Sequence, residues 1–256
     1  MFLISAQRNF VIPEKSGTNK MNILITGASR GIGAELARIL TTQGHTVIAV
    51  SRNVNALRQL STSITETNPR AAIHTLPFDL AGENTAADLR SRILSIVPHL
   101  DALVNNAGTL LNKPFSEITA AELTYIYEVN VFGPFQLIQQ LLPLLQGHES
   151  PSHIVNISSM GGVQGSAKFP GLSAYSSSKA ALANLSELLA EELKEKNIRV
   201  NCLALGAAQT EMLEEAFPGY RAPLSAEQMA AYIAWFTVNG YLYFNGKVLP
   251  VALSTP

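Results

Sequence analysis

Asn22-Ile23-Leu24-Ile25-Thr26-Gly27-Ala28-Ser29-Arg30-Gly31-Ile32-Gly33 is the stretch that decides the fold. Its apolar run reads as a buried strand, the glycines follow at once, and a helical pattern begins at Ile32. Glycines permit a tight turn there. They also let a phosphate chain approach backbone N–H groups at a helix N-terminus, where the dipole favours anions. Many turns carry three glycines, so the weight comes from context: after the first strand and before a helix. The spacing is G-x-x-x-G-x-G rather than G-x-G-x-x-G.

Outward from that loop, short apolar runs alternate with helical patterns. Strands are expected at Asn22–Thr26, Thr46–Ser51, Ala72–Pro77, Ala102–Asn105, His153–Ser158, Ile198–Leu205 and Lys247–Val251. Helices are expected near 32–43, 54–66, 84–97, 119–146, 174–196 and 226–238. Six crossovers between seven strands predict an α/β, Rossmann-type, doubly wound parallel sheet with helices on both faces. No linker or repeat divides residues 21–256, which read as a single domain. Residues 1–20 read as a flexible arm, with Met21 as an alternative start. They carry no run of signal-peptide length. Val129–His148 has no formal charge, but Gly133, Pro134, Pro143 and four glutamines make it a buried helix rather than a membrane span.

Composition narrows the function. Charged residues make up 14% of the 256, against roughly 25% in a typical soluble domain, and 47% are hydrophobic. That excludes a disordered chain. A net charge of −1 excludes the basic balance that nucleic-acid binding requires. One cysteine, Cys202, rules out an intramolecular disulfide and fits a reducing, cytoplasmic setting. The five histidines form no triad or metal-ligand spacing, and no metal is expected.

The glycine spacing, together with Asn105-Asn106-Ala107-Gly108 after the fourth strand, resembles the compact one-domain branch of the short-chain dehydrogenase/reductase family. The likeness covers about residues 21–250. It implies a dinucleotide in contact with Gly27, Ser29, Arg30, Gly31, Ile32 and Gly33. Asp79 and Leu80 would meet the adenine, and Asn105, Ala107 and Gly108 would lie along the cofactor. Gly206, Ala208 and Thr210 would lie at the nicotinamide. After the second strand the chain reads Val50-Ser51-Arg52-Asn53, with no carboxylate to bind a ribose 2′-OH. Arg52 and Arg30 together resemble the NADP(H)-preferring pattern, with NAD(H) as the other option and two solvated arginines as the plain alternative.

Interconverting a ketone and an alcohol needs a proton donor to the carbonyl oxygen. A tyrosine can serve if a cation stabilises its phenolate. Tyr175 and Lys179 stand four apart at the start of a helical pattern and share a face. A second such pair, Tyr243–Lys247, encloses the Asn245-Gly246 turn, so its side chains need not meet. By resemblance Ser159 hydrogen-bonds the substrate oxygen, with Ser158 one residue away as the alternative. Asn130 matches the family's helix-four asparagine, which by that resemblance holds a water in the proton relay behind Lys179; its plain reading is a buried amide bonded to backbone. The resulting expectation is an NADP(H)-dependent oxidoreductase acting on a small carbonyl or secondary alcohol. The alternative is a nucleotide-binding regulatory protein that kept the fold and lost turnover.

Some features depart from the family pattern. Leu205 stands where a proline usually precedes Gly206, the Glu211–Ser225 lid is short, the Ser159–Tyr175 interval is long, and the C-terminus reads Val248-Leu249-Pro250-Val251-Ala252. Met160, Val163, Phe169, Met212, Leu213 and Phe217 are candidates for an apolar pocket. Lys168, Tyr220 and Arg221 are candidates for an anionic substrate. Charge is also unevenly spread: residues 129–178 contain only Glu149 and Lys168. Part of that block suits a water-poor cleft. The apolar or amide face of the 135–146 helix, which in the family packs on a second subunit, predicts a homodimer or homotetramer.

Overall fold

A computed structural model describes residues 20–82 and 86–253. The expected arm lies outside them apart from Lys20, as do residues 84–85 of the third expected helix. The seven expected strands form one parallel sheet: β1 (Asn22–Thr26), β2 (Thr46–Ser51), β3 (Ala72–Pro77), β4 (Ala102–Asn105), β5 (Ser152–Ser159), β6 (Ile198–Leu205) and β9 (Val248–Val251). Their order is β3-β2-β1-β4-β5-β6-β9. Alternation along each strand feeds two cores. Ile23, Ile25, Val47 and Ala49 face one side, Leu24, Ile48 and Val50 the other. Both faces are therefore covered, which is why these strands read as unbroken apolar runs.

Helices α1 (Gly31–Thr42), α2 (Val54–Thr67) and α8 (Ala226–Asn239) cover the first face. Helices α3 (Ala86–Leu94), α5 (Gly133–Leu145) and α6 (Ser173–Glu192) cover the second. The sheet order reverses at β1, between β2 and β4, and a crevice opens there beyond the carboxyl ends of the strands. Two small elements were not expected. A two-stranded parallel ladder, β7 (Ala208–Gln209) with β8 (Leu224–Ser225), ties off the base of an excursion that carries the short helix α7 (Glu211–Ala216).

The expected helix 119–146 is not continuous. It divides into α4 (Ala120–Tyr127), a π-helical turn at Glu128–Phe132, and α5. Pro134 accounts for the break. It has no N–H, so the carbonyl of Asn130 loses its α-helical donor, and the ring crowds that same carbonyl. The turn widens, and the Gly133 N–H reaches back to the Glu128 carbonyl.

Candidate active site

Gly27 turns the chain out of β1 at φ +66°, and a Cβ there would lie 2.7 Å from the Ala107 Cα. The ends of β1 and β4 touch because this residue is glycine. Helix α1 then starts with Arg30 as N-cap and no side chain capping it. By contrast α2, α4, α7 and α8 are capped by Asn53, Thr119, Thr210 and Ser225. The uncapped end lies on the crevice wall, with Arg30, Gly31, Ile32 and Gly33 lining it. Free first-turn N–H groups are what a pyrophosphate needs, so the residues present fit a dinucleotide cofactor.

The crevice encloses about 810 Å³, enough for an extended ligand. Ser29, Ser51, Arg52, Asp79, Leu80, Ala107, Gly108, Gly206, Ala208 and Thr210, the residues the resemblance assigns to a cofactor, all line it. The Ser51 hydroxyl donates to Ser29 Oγ at 2.8 Å and ties β2 to the glycine loop. Asn105 is the correction. It ends β4 fully buried, its amide donating to Asn156 Oδ1 at 2.8 Å, and it does not reach the crevice. Asn106 lines the crevice instead, and its Nδ2 donates to the carbonyls of Thr26 and Gly27. Successive strand residues point to opposite faces, so a one-residue offset moves the side chain out of the site.

The two arginines expected at one corner are engaged separately. Arg30 Nη1 lies 2.8 Å from Glu211 Oε2 and 3.6 Å from Glu215 Oε1, both on α7. Arg52 Nη1 donates to Tyr125 Oη on α4 at 2.5 Å. Neither partner carried a sequence signal: one bond spans 181 positions, the other 73.

At the far wall, Ser159 ends β5 and Tyr175 and Lys179 stand on α6. Gly162 sets their spacing, because a Cβ there would lie 2.7 Å from the Ala180 backbone nitrogen; the turn after β5 can press on α6. Ser159 and Tyr175 both line this wall, and Ser159 Oγ accepts from the Gly161 N–H at 3.3 Å. Ser158 is turned away, its hydroxyl donating to the Lys179 carbonyl at 2.7 Å. Burial raises the Tyr175 phenol, with the nearby Ser159 hydroxyl opposing it. Lys179 Nζ lies 5.9 Å from the Tyr175 ring centroid and donates to the Ile157 carbonyl at 2.9 Å. Burial lowers its ammonium to about 8. Tyr243, by contrast, is exposed, as the turn between it and Lys247 suggested.

Asn130 sits in the π turn, fully buried behind this wall. Its Oδ1 accepts from the Thr109 N–H, and its Nδ2 donates to the Thr109 carbonyl and to Ser178 Oγ, each at 2.9 Å. The side chain thus braces the loop after β4 against α6. Cys202 is buried in β6 beneath the site, and burial pushes its thiol up to about 11.

Over the other end of the crevice lie Met160, Phe169, Leu172, Met212, Leu213 and Phe217. Phe169 and Phe217 meet edge to face, centroids 6.5 Å apart, closing the loop after β5 against the lid. Val163, Lys168, Tyr220 and Arg221 lie outside this lining. Lys168 Nζ instead donates to the Gly161 and Val163 carbonyls, which staples the long loop after β5.

Residues 21–221 match the family model for short chain dehydrogenases. The chain belongs to the short-chain dehydrogenase/reductase family. Among its relatives is the rhamnolipids biosynthesis 3-oxoacyl-[acyl-carrier-protein] reductase of Pseudomonas aeruginosa, 33% identical over 89% of this chain and 93% of that protein. A short-chain dehydrogenase from Shigella flexneri complexed with NADP superposes with TM-score 0.83 at 32% identity, covering 91% of this chain and 97% of that one. The Pseudomonas aeruginosa RhlG/NADP active-site complex gives TM-score 0.80 at 31% identity, over 91% and 94%.

As a short-chain dehydrogenase/reductase, the protein keeps the family's sheet while altering two details. Leu205 ends β6 opposite Val251, and its side chain lines the crevice. Pro250 lies on β9, an edge strand, where a missing N–H breaks no ladder on the outer side. Among the described residues no helix is long and apolar enough to cross a membrane, and no group of His, Cys, Asp or Glu is placed to hold a metal.

Proposed function

We propose that this oxidoreductase interconverts a neutral, apolar carbonyl compound and its secondary alcohol, with NADP(H) as the preferred cofactor. The observation that carries the reading is one wall on which Ser159, Tyr175 and Lys179 meet, in a crevice that begins at an uncapped helix. A bound reduced nicotinamide supplies the hydride. The chain's own residues manage the oxygen and its proton. Ser159 orients the carbonyl, and Tyr175, kept protonated by burial, donates its phenolic hydrogen to the oxygen as negative charge develops there. Lys179 stabilises the resulting phenolate. Asn130 keeps the loop after β4 and α6 in register.

Cofactor preference rests on Arg52, whose corner holds no paired carboxylate, together with the NADP bound in similar structures. The apolar lining of Met160, Phe169, Leu172, Met212, Leu213 and Phe217 supports a substrate recognised by shape, and the neighbouring Glu211 is engaged by Arg30. The test is Tyr175→Phe, followed by NADPH absorbance over a panel of apolar ketones. Turnover should fall about 10³-fold while NADPH affinity stays within twofold. Retained turnover would overturn the assignment.

Self-association belongs to the same reading. Phe132, Phe135 and Leu188 are 49%, 47% and 56% exposed on the π turn, α5 and α6. Apolar groups of that size on adjoining elements suit a second copy of the chain. Light scattering at micromolar concentration should give at least a dimer; a monomer would contradict it.

A further inference from the structure

Arg30 and Arg52 differ in what balances their charge. Arg30 is paired with two carboxylates on α7. Arg52 has no such pair: among the described residues no Asp or Glu lies within ion-pair distance of it, and the Asp79 carboxylate acts on it only from farther off. Its partner is the neutral Tyr125 hydroxyl at 2.5 Å, which steers the guanidinium without cancelling its charge.

Tyr125 is well supported for that task. The start of α4 is held by a reciprocal cap, Thr119 with Glu122, and Glu122 also pairs with Lys113 at 2.9 Å. The end of α4 is held by the π turn. The ring therefore projects from a fixed element, and Tyr125, Arg52, Ser51 and Ser29 all line the same end of the crevice. The Tyr125 oxygen accepts from Arg52, and its own hydroxyl hydrogen goes to no protein acceptor among the described residues. A guanidinium with unused N–H groups beside a phenol with an unused O–H is a donor set for a phosphate monoester.

We propose that Tyr125 determines cofactor specificity: it positions Arg52 and donates its hydroxyl hydrogen to a phosphate on the ribose 2′ oxygen. The proposal rests on the NADP(H) reading above and adds a residue from α4 to a corner that sequence assigns to the strand end and the glycine loop. It also explains how one arginine suffices while Arg30 is held by α7.

The test uses fragments without a nicotinamide, so that no catalysis enters. Adenosine 2′,5′-bisphosphate and adenosine 5′-monophosphate are titrated calorimetrically into the full chain and into Tyr125→Phe, with thermal melting as the check on folding. The wild type should bind the bisphosphate more tightly. Tyr125→Phe should lose about tenfold on the bisphosphate and nothing on the monophosphate, in line with a hydrogen bond to a charged group. An unchanged bisphosphate affinity, or an equal loss on both fragments, overturns the role of Tyr125. A wild type that does not distinguish the fragments overturns the NADP(H) reading itself, and the proposal with it.

Discussion

The two ends of the crevice are built from different materials. The end beside β1 and β2 is backbone and polar side chains: an uncapped helix, a Ser29–Ser51 bond and an arginine bonded to a phenol rather than ion-paired. The opposite end is thioether, aliphatic and aromatic surface contributed by the loop after β5 and the excursion that carries α7. Backbone donors are fixed by the fold and recognise what every member of a cofactor class shares. Apolar walls on loops recognise volume and can vary without disturbing the sheet. The wall of Ser159, Tyr175 and Lys179 stands where the two meet.

That contrast can be broken by experiment, and the sharpest cut is Tyr175→Phe, with its loss of about 10³-fold in turnover at unchanged cofactor affinity. If cofactor affinity fell with it, the catalytic wall would not be separable from the cofactor end.

A paired comparison comes next. A Cβ on Gly33 would lie 2.3 Å from the Gly27 carbonyl oxygen, so Gly33→Ala must distort the glycine loop. It should weaken NADPH about 100-fold, measured by cofactor fluorescence, because the α1 N–H groups are displaced. Phe217→Ala should leave NADPH affinity unchanged and raise KM for an apolar ketone about tenfold, through lost apolar burial. Equal effects of both variants on both constants would mean that the ends do not act independently.

The smallest effect is a pH profile. Lys179 is lowered to about 8 and Tyr175 is raised above its ordinary value. The lysine therefore loses its charge first as pH rises, while the phenol still holds its proton. For ketone reduction, kcat/KM should be level below about pH 8 and fall about tenfold per unit above it. The sign for folding is opposite. Between about pH 8 and the ordinary lysine value the unfolded chain binds a proton that the folded chain does not, so this group's contribution to stability rises with pH there. A profile still level at pH 10 would remove Lys179 from the role given to it.

Legibility followed the range of the interactions. Strand ends at Thr26, Ser51, Pro77 and Asn105 coincide with the expected ones, because apolar runs and turn residues act locally. The apolar pattern over 119–146 runs on through a break that only Pro134 marks. Tyr175 and Lys179 were readable because a four-residue spacing on a helix sets a shared face. The Asn105-Asn106 motif does not reveal on which residue the strand stops pleating, and so which side chain faces the crevice.

By itself, the sequence determined the sheet, its two covered faces, the glycine turn into α1 and the helical tyrosine–lysine pair, all consequences of periodicity and backbone sterics over a few residues. Only the tertiary structure decided which serine meets Tyr175, which asparagine faces the crevice, and that Arg30 bonds to α7 while Arg52 bonds to α4. Those outcomes depend on side-chain direction and on charges brought together across long separations in the chain. Local rules carry no term for either.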